Sequence, residues 1–116
     1  GSGVDIVIES IGGAVTSEAL SSLGLGGVLI TLGYSAGRKT TIDVTDLIWK
    51  RARMAGFSLF AQSPTAVATA WRDIIPLIVR RSVKPIVERV YPLGEAGGAL
   101  RHLTEDRPFG KVVLAG

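Results

Sequence analysis

Residues 22–33, SLGLGGVLITLG, decide how this chain folds. The cluster Gly24, Gly26, Gly27 is either a loop that cradles a phosphate or the stop of a helix. A dinucleotide fingerprint GxGxxG must follow a strand and open a helix, because the pyrophosphate rests on the helix's free N–H groups while the glycines let the backbone come close. Here the order is reversed. The cluster follows a helical pattern ending at Leu23 and precedes an apolar run from Val28, and the sixth position counted from Gly24 is Leu29. The sequence therefore predicts that Gly24 caps a helix in the left-handed conformation, and that Gly26 and Gly27 turn the chain into a strand over residues 28–32.

Working outward, VDIVIE at residues 4–9 is apolar and β-branched, as in a strand buried on both faces of a parallel sheet. Residues 10–13 read as a turn and 16–23 as a short helix. After the strand at 28–32, GYSAGRK (33–39) forms a second loop at a strand's carboxyl end. Asp43 or Thr45 caps a helix over 46–51, and MAGFSLF (54–60) reads as a third strand. Ser63 and Pro64 open the longest helix, whose apolar stripe is Val67, Trp71, Ile74, Ile75 and Ile78, and Pro76 is expected to kink or split it. KPIVERVY (84–91) alternates like a half-buried strand, 94–104 reads as a helix and 111–115 as a final strand. Strands alternating with helices predict a parallel α/β sheet, since parallel neighbours need a crossover that a helix supplies.

The chain has 116 residues, 47% of them hydrophobic and 20% charged, which is the balance of a folded domain and excludes a disordered one. With no Cys and with His102 as the only His, disulfides and thiolate metal sites are excluded and no metal site is expected. The apolar stretches fall short of the roughly 18 residues of a membrane span, and no signal-peptide layout opens the chain, so the default location is cytoplasmic. The net charge is +3, with basic pairs scattered and not interleaved with aromatics, so no nucleic-acid partner is expected.

Four stretches, VDIVIESIGG, LGGVLITLG, KPIVERVYPLGEA and RPFGKVVL, occur in an order that resembles the carboxyl-terminal half of medium-chain dehydrogenase/reductases, nearest the zinc-free quinone oxidoreductase branch. The likeness spans nearly the whole chain. It implies an α/β fold: a parallel Rossmann-like sheet, the second mononucleotide half, with helices on both faces. It also implies terminal strands that return to a catalytic domain absent from this chain. Residues 1–82 would be the second half of the NAD(P)-binding Rossmann domain and 83–116 the tail of the catalytic domain. The chain departs from the family in lacking the amino-terminal catalytic domain and the first mononucleotide half with its phosphate loop. Ser82-Val83 also stands where members usually carry a Gly.

The resemblance implies NADPH as cofactor, with NADH as the alternative, and hydride transfer from the nicotinamide to a small-molecule quinone or enone. The isolated chain is expected to lack full activity. By resemblance Ile11, Gly12 and Gly13 line the nicotinamide half of the cofactor. Leu32, Gly33, Tyr34 and Ser35 flank the nicotinamide ribose, Phe57, Ser58 and Leu59 meet the carboxamide, and Lys111 approaches a phosphate. It implies as well a homodimer through the strand at residues 54–60. No catalytic residue is assigned: His102 lacks the partners of a triad, Asp5 and Glu9 sit along one strand with no spacing that marks an acid–base pair, and Tyr34 is the one hydroxyl worth testing as a proton donor. The competing reading is a non-catalytic α/β module that self-associates through its sheet edge.

Overall fold

The structure is a computed structural model that describes residues 3–116. The chain divides into two compact units, one running to Gln62 and the other from Ser63. The first is built of β1 (Val4–Glu9), α1 (Ala14–Ser21), β2 (Leu23–Thr31), α2 (Val44–Lys50) and β3 (Arg53–Gly56). Its three strands are all parallel, in the order β1-β2-β3. That order is the one helical crossovers dictate when each strand joins the edge just made.

The core of this unit lies on one face of the sheet. Leu20 of α1 with Leu23 and Leu29 of β2 are enclosed, and Val7, Ala19, Ile42, Leu47 and Ala52 pack around them. Since successive strand residues point to opposite faces, Ile6 and Ile8 project away from Val7 and are exposed, at 63% and 69%. Asp43 caps α2 by accepting from the Thr45 N–H at 2.9 Å. Asp46 then ties α2 to α1, accepting from the Ser21 hydroxyl at 2.6 Å while it pairs with Lys50 at 2.8 Å.

The glycine cluster does not stop α1. The cap of α1 is Ser22 in a right-handed conformation, and β2 begins at once at Leu23, so Gly24, Gly26 and Gly27 lie inside a strand. Val4 pairs with Leu23 and then Ile6 with Val28, so the residues between Leu23 and Val28 bulge from the ladder. Gly26 takes the left-handed turn of this bulge, at φ 76°. Gly24 lies where the backbone passes close to Gly3: a Cβ built on Gly3 would stand 2.4 Å from the Gly24 nitrogen.

The third strand is also shorter than its apolar pattern predicts, ending at Gly56 instead of residue 60. Phe57 still donates its N–H to the Thr31 carbonyl at 2.9 Å. Leu59–Ala61 then coil into a 3-10 turn, in which the Ser58 carbonyl accepts from the Ala61 N–H and from the Gln62 side chain.

The second unit contains α3 (Pro64–Val79), β4 (Val87–Pro92), α4 (Ala96–Arg101) and β5 (Lys111–Ala115). Ser63 caps α3, accepting from the Ala66 N–H at 3.1 Å, with Pro64 at the first helical position. Pro76 does not split α3. It sits in the last turn, where its missing N–H costs one bond, and its carbonyl still accepts from Arg80 at 3.1 Å. Strands β4 and β5 pair in parallel, Val87 opposite Lys111 and Pro92 opposite Ala115. Their crossover is a 3-10 turn, α4 and a π-helical turn over His102–Asp106. The His102 ring is held on both sides in this turn, its Nε2 2.7 Å from Glu88 of β4 and its Nδ1 2.7 Å from Asp106.

Candidate functional site

In parallel sheets of this kind, ligands bind beyond the carboxyl ends of the strands. In the first unit the loops after β1, β2 and β3 enclose a cleft of about 750 Å³ there. That volume is in the range of small-molecule and cofactor sites. From the first loop come Gly12 and Gly13, with Thr16 of α1 behind them; from the second come Leu32, Gly33 and Tyr34, then Gly37 to Thr40; from the third come Phe57, Ser58, Leu59 and Phe60.

Of the residues singled out by resemblance, Gly12, Gly13, Leu32, Gly33, Tyr34, Phe57, Ser58 and Leu59 share this cleft. Ile11 and Ser35 are not among its lining residues. Ile11 instead lends its carbonyl to the Ala36 N–H at 2.7 Å, joining the first loop to the second. Lys111 belongs to the second unit, where it opens β5 and donates its N–H to the Ile86 carbonyl at 2.8 Å.

The glycines of the cleft make room for protein backbone. A Cβ on Gly33 would stand 2.2 Å from the Ser10 carbonyl oxygen, and one on Gly12, at φ 78°, would stand 2.4 Å from that of Gly37. The first two loops are thus locked together. Gly12 and Gly37 form a parallel bridge, and the Gly13 N–H donates to the Gly37 carbonyl at 3.1 Å.

Beneath this wall lies Glu9, only 3% exposed. A carboxylate taken from water must be met by donors, and this one meets four. Oε1 accepts from the N–H groups of Ile11 and Gly12, the latter at 2.7 Å. Oε2 accepts from the hydroxyls of Thr16 at 3.0 Å and Thr31 at 3.2 Å. The Gly12 N–H is the main cause holding the carboxyl below its ordinary range; burial opposes this, and the Ile11, Thr16 and Thr31 bonds add to it. The sequence signal for Glu9 is a charge closing the apolar run Ile6–Ile8 of β1, and Thr16 and Thr31 have no signal of their own.

The lining residues include two cations, Arg38 and Lys39, and no carboxylate. The Arg38 guanidinium stands 6.0 Å from the Tyr34 ring centroid. Aromatic rings, hydroxyls, exposed cations and a walled-in anion suit a flat heteroaromatic ligand that carries a phosphate, and the residues present therefore fit a nicotinamide nucleotide.

Residues 1–114 match the zinc-binding dehydrogenase family. Quinone oxidoreductase-like protein 2 of Bos taurus is 26% identical over 123 residues, which cover 97% of this chain and 33% of that protein. Synaptic vesicle membrane protein VAT-1 of Tetronarce californica is 31% identical over 126 residues, covering 94% of this chain and 33% of that one. Among solved structures, the quinone oxidoreductase of Thermus thermophilus, determined also in complex with NADPH, superposes with a TM-score of 0.79 at 30% identity, over 98% of this chain and 37% of the other. The chain thus spans about a third of the length of each of these two curated relatives. Zinc, which the family's description names, finds no fit here: the chain has no Cys and one His, and the described residues contain no group of three or more His, Cys, Asp or Glu able to hold a metal.

Proposed function

The chain belongs to the zinc-binding dehydrogenase family, as the carboxyl-terminal half of a medium-chain dehydrogenase/reductase, and from that premise we propose that it forms the nicotinamide side of an NAD(P)H-dependent oxidoreductase. The acceptor is a small-molecule quinone or enone. The observation that carries this reading is the cleft at the carboxyl ends of β1, β2 and β3, lined by Gly12, Gly33, Tyr34 and Phe57 with two cations and no carboxylate. NADPH, or NADH in its place, supplies the hydride and carries the electrons when bound.

The work of this chain's residues is placement and exclusion of water. Gly12, Gly13, Leu32 and Gly33 present a rigid wall, because their loops are bonded to each other and to Glu9. Phe57, Leu59 and Phe60 add apolar surface to the cleft, and Ser58 lies among them in the sequence to meet a carboxamide. Arg38 and Lys39 balance a phosphate. In this assignment residues 1–82 form the second half of the Rossmann domain, and residues 83–116 the tail of a catalytic domain supplied by the rest of the enzyme. That boundary rests on the resemblance of the sequence to the family, whereas the compact units part at Gln62.

Titration with NADPH and NADH, read by nicotinamide fluorescence, tests the reading. The 116 residues alone bind weakly, since no phosphate loop is among them, and binding tightens when the chain is joined to the preceding Rossmann half of a relative. Tight binding by this chain alone contradicts the half-site assignment. Failure of the joined protein to bind favours a non-catalytic module that self-associates, a reading supported by the exposed Ile6 and Ile8 and by the exposed edge strand β3. In both readings β3 pairs with its twin in a second copy, and a sedimentation mass that stays monomeric at high concentration contradicts that pairing.

A further inference from the structure

Glu9 touches no ligand-facing space directly, yet three of its four donors belong to residues that line the cleft: Gly12 of the first loop, Thr16 of α1 and Thr31 of β2. One carboxylate therefore joins three elements into a single wall. Each oxygen accepts two bonds, so the group's acceptor capacity is filled and it has no free lone pair for a substrate proton. A general base in this position is excluded, and what remains is a fixed negative charge one residue layer behind the cleft.

We propose that Glu9 is the positioning residue of this cleft, and that its buried charge favours a cationic over a neutral nicotinamide ring. The proposal rests on the cofactor reading above and deepens it. A reduced nicotinamide is neutral, and the ring becomes positive as its hydride leaves. Charge that develops during transfer therefore gains from an anion whose donors are already in place. Solvent touches this carboxylate little, while Arg38 and Lys39 at the same cleft are open to solvent and more strongly screened. The other charged side chains on the elements around Glu9, Asp5 of β1 and Glu18 of α1, are also more open to solvent.

The test compares oxidised with reduced nicotinamide mononucleotide, two ligands with the same phosphate and ribose and a different ring charge. Their dissociation constants are measured by NMR titration on the wild-type chain and on Glu9→Gln, which keeps the shape and removes the charge. The ratio of oxidised to reduced affinity falls roughly fivefold in E9Q, the effect of one charge several ångströms away in a partly screened medium. An unchanged ratio overturns the proposal, even if both ligands bind more weakly, because equal loss means that Glu9 only shapes the wall. Should E9Q fail to fold, the wild type decides the matter in acid below the ordinary 4.5, where the Glu9 carboxyl, followed by its 13C shift, protonates. There the affinity of oxidised nicotinamide mononucleotide falls relative to that of benzamide riboside 5′-phosphate, a neutral and acid-stable analogue, and a constant ratio overturns the proposal. Absence of binding by either ligand to the folded wild type contradicts the cofactor reading itself and removes the basis of this one.

Discussion

The two units bury their apolar residues very differently. In the first, Leu20, Leu23 and Leu29 are fully enclosed between β2 and its helices. In the second, only Tyr91 and Ala99 are buried, while Trp71 and Ile75 of α3 are exposed at 53% and 52% and Val90 of β4 at 56%. Yet α3 carries as clear an apolar stripe as any helix in the chain. Periodicity in a sequence says which face seeks cover, and says nothing of what provides it.

That contrast can be broken by two truncations. Leu29→Ala should lower the stability of the first unit by about 2–5 kcal/mol, the usual cost of a cavity in a closed core. Val90→Ala should change the second unit by less than about 0.5 kcal/mol, as expected at an exposed position. Residue-resolved hydrogen exchange reads both. A large loss in V90A would mean that a second copy covers this face.

A smaller effect separates the units by pH. Glu9 has its carboxyl held below the ordinary 4.5, chiefly by the Gly12 N–H, so its contribution is present above that value and is lost as pH falls through the lowered one. His102 has its imidazole raised above the ordinary 6.5, first by Glu88 and then by Asp106, so its contribution is fully present below 6.5 and is lost as pH rises through the raised value. Exchange protection should therefore weaken in β2 on acidification and in β4 on alkalinisation. Glu9→Gln should remove only the first response and His102→Gln only the second. A shared response of both units to either change would contradict their separate control.

What could be read in advance was what neighbouring residues determine. The strand Val4–Glu9, the strand Lys111–Ala115 and the Ser63-Pro64 start of α3 all rest on local pattern or on a cap three residues away. The glycine bulge was hidden because it is defined by the pairing of β2 with β1, and the close pass of Gly3 and Gly24 beside it joins residues distant in sequence. Phe57 to Phe60 continue an apolar run and so imitate strand, while the bonds from Ala61 and Gln62 to the Ser58 carbonyl turn the chain. The same applies to the cleft. Its loops are placed by topology and were legible, but the four donors on Glu9 include Thr31, which lies 22 positions along the chain.

In the proposed site this chain meets the nicotinamide side of the dinucleotide and not its adenine side. Saturation-transfer NMR of NADPH in the presence of the chain tests it most directly, because weak binding suffices and each ring reports for itself. Strong transfer is expected to the nicotinamide and adjacent ribose protons and little to the adenine protons. Dominant transfer to adenine, or none to either ring at millimolar ligand, would contradict it.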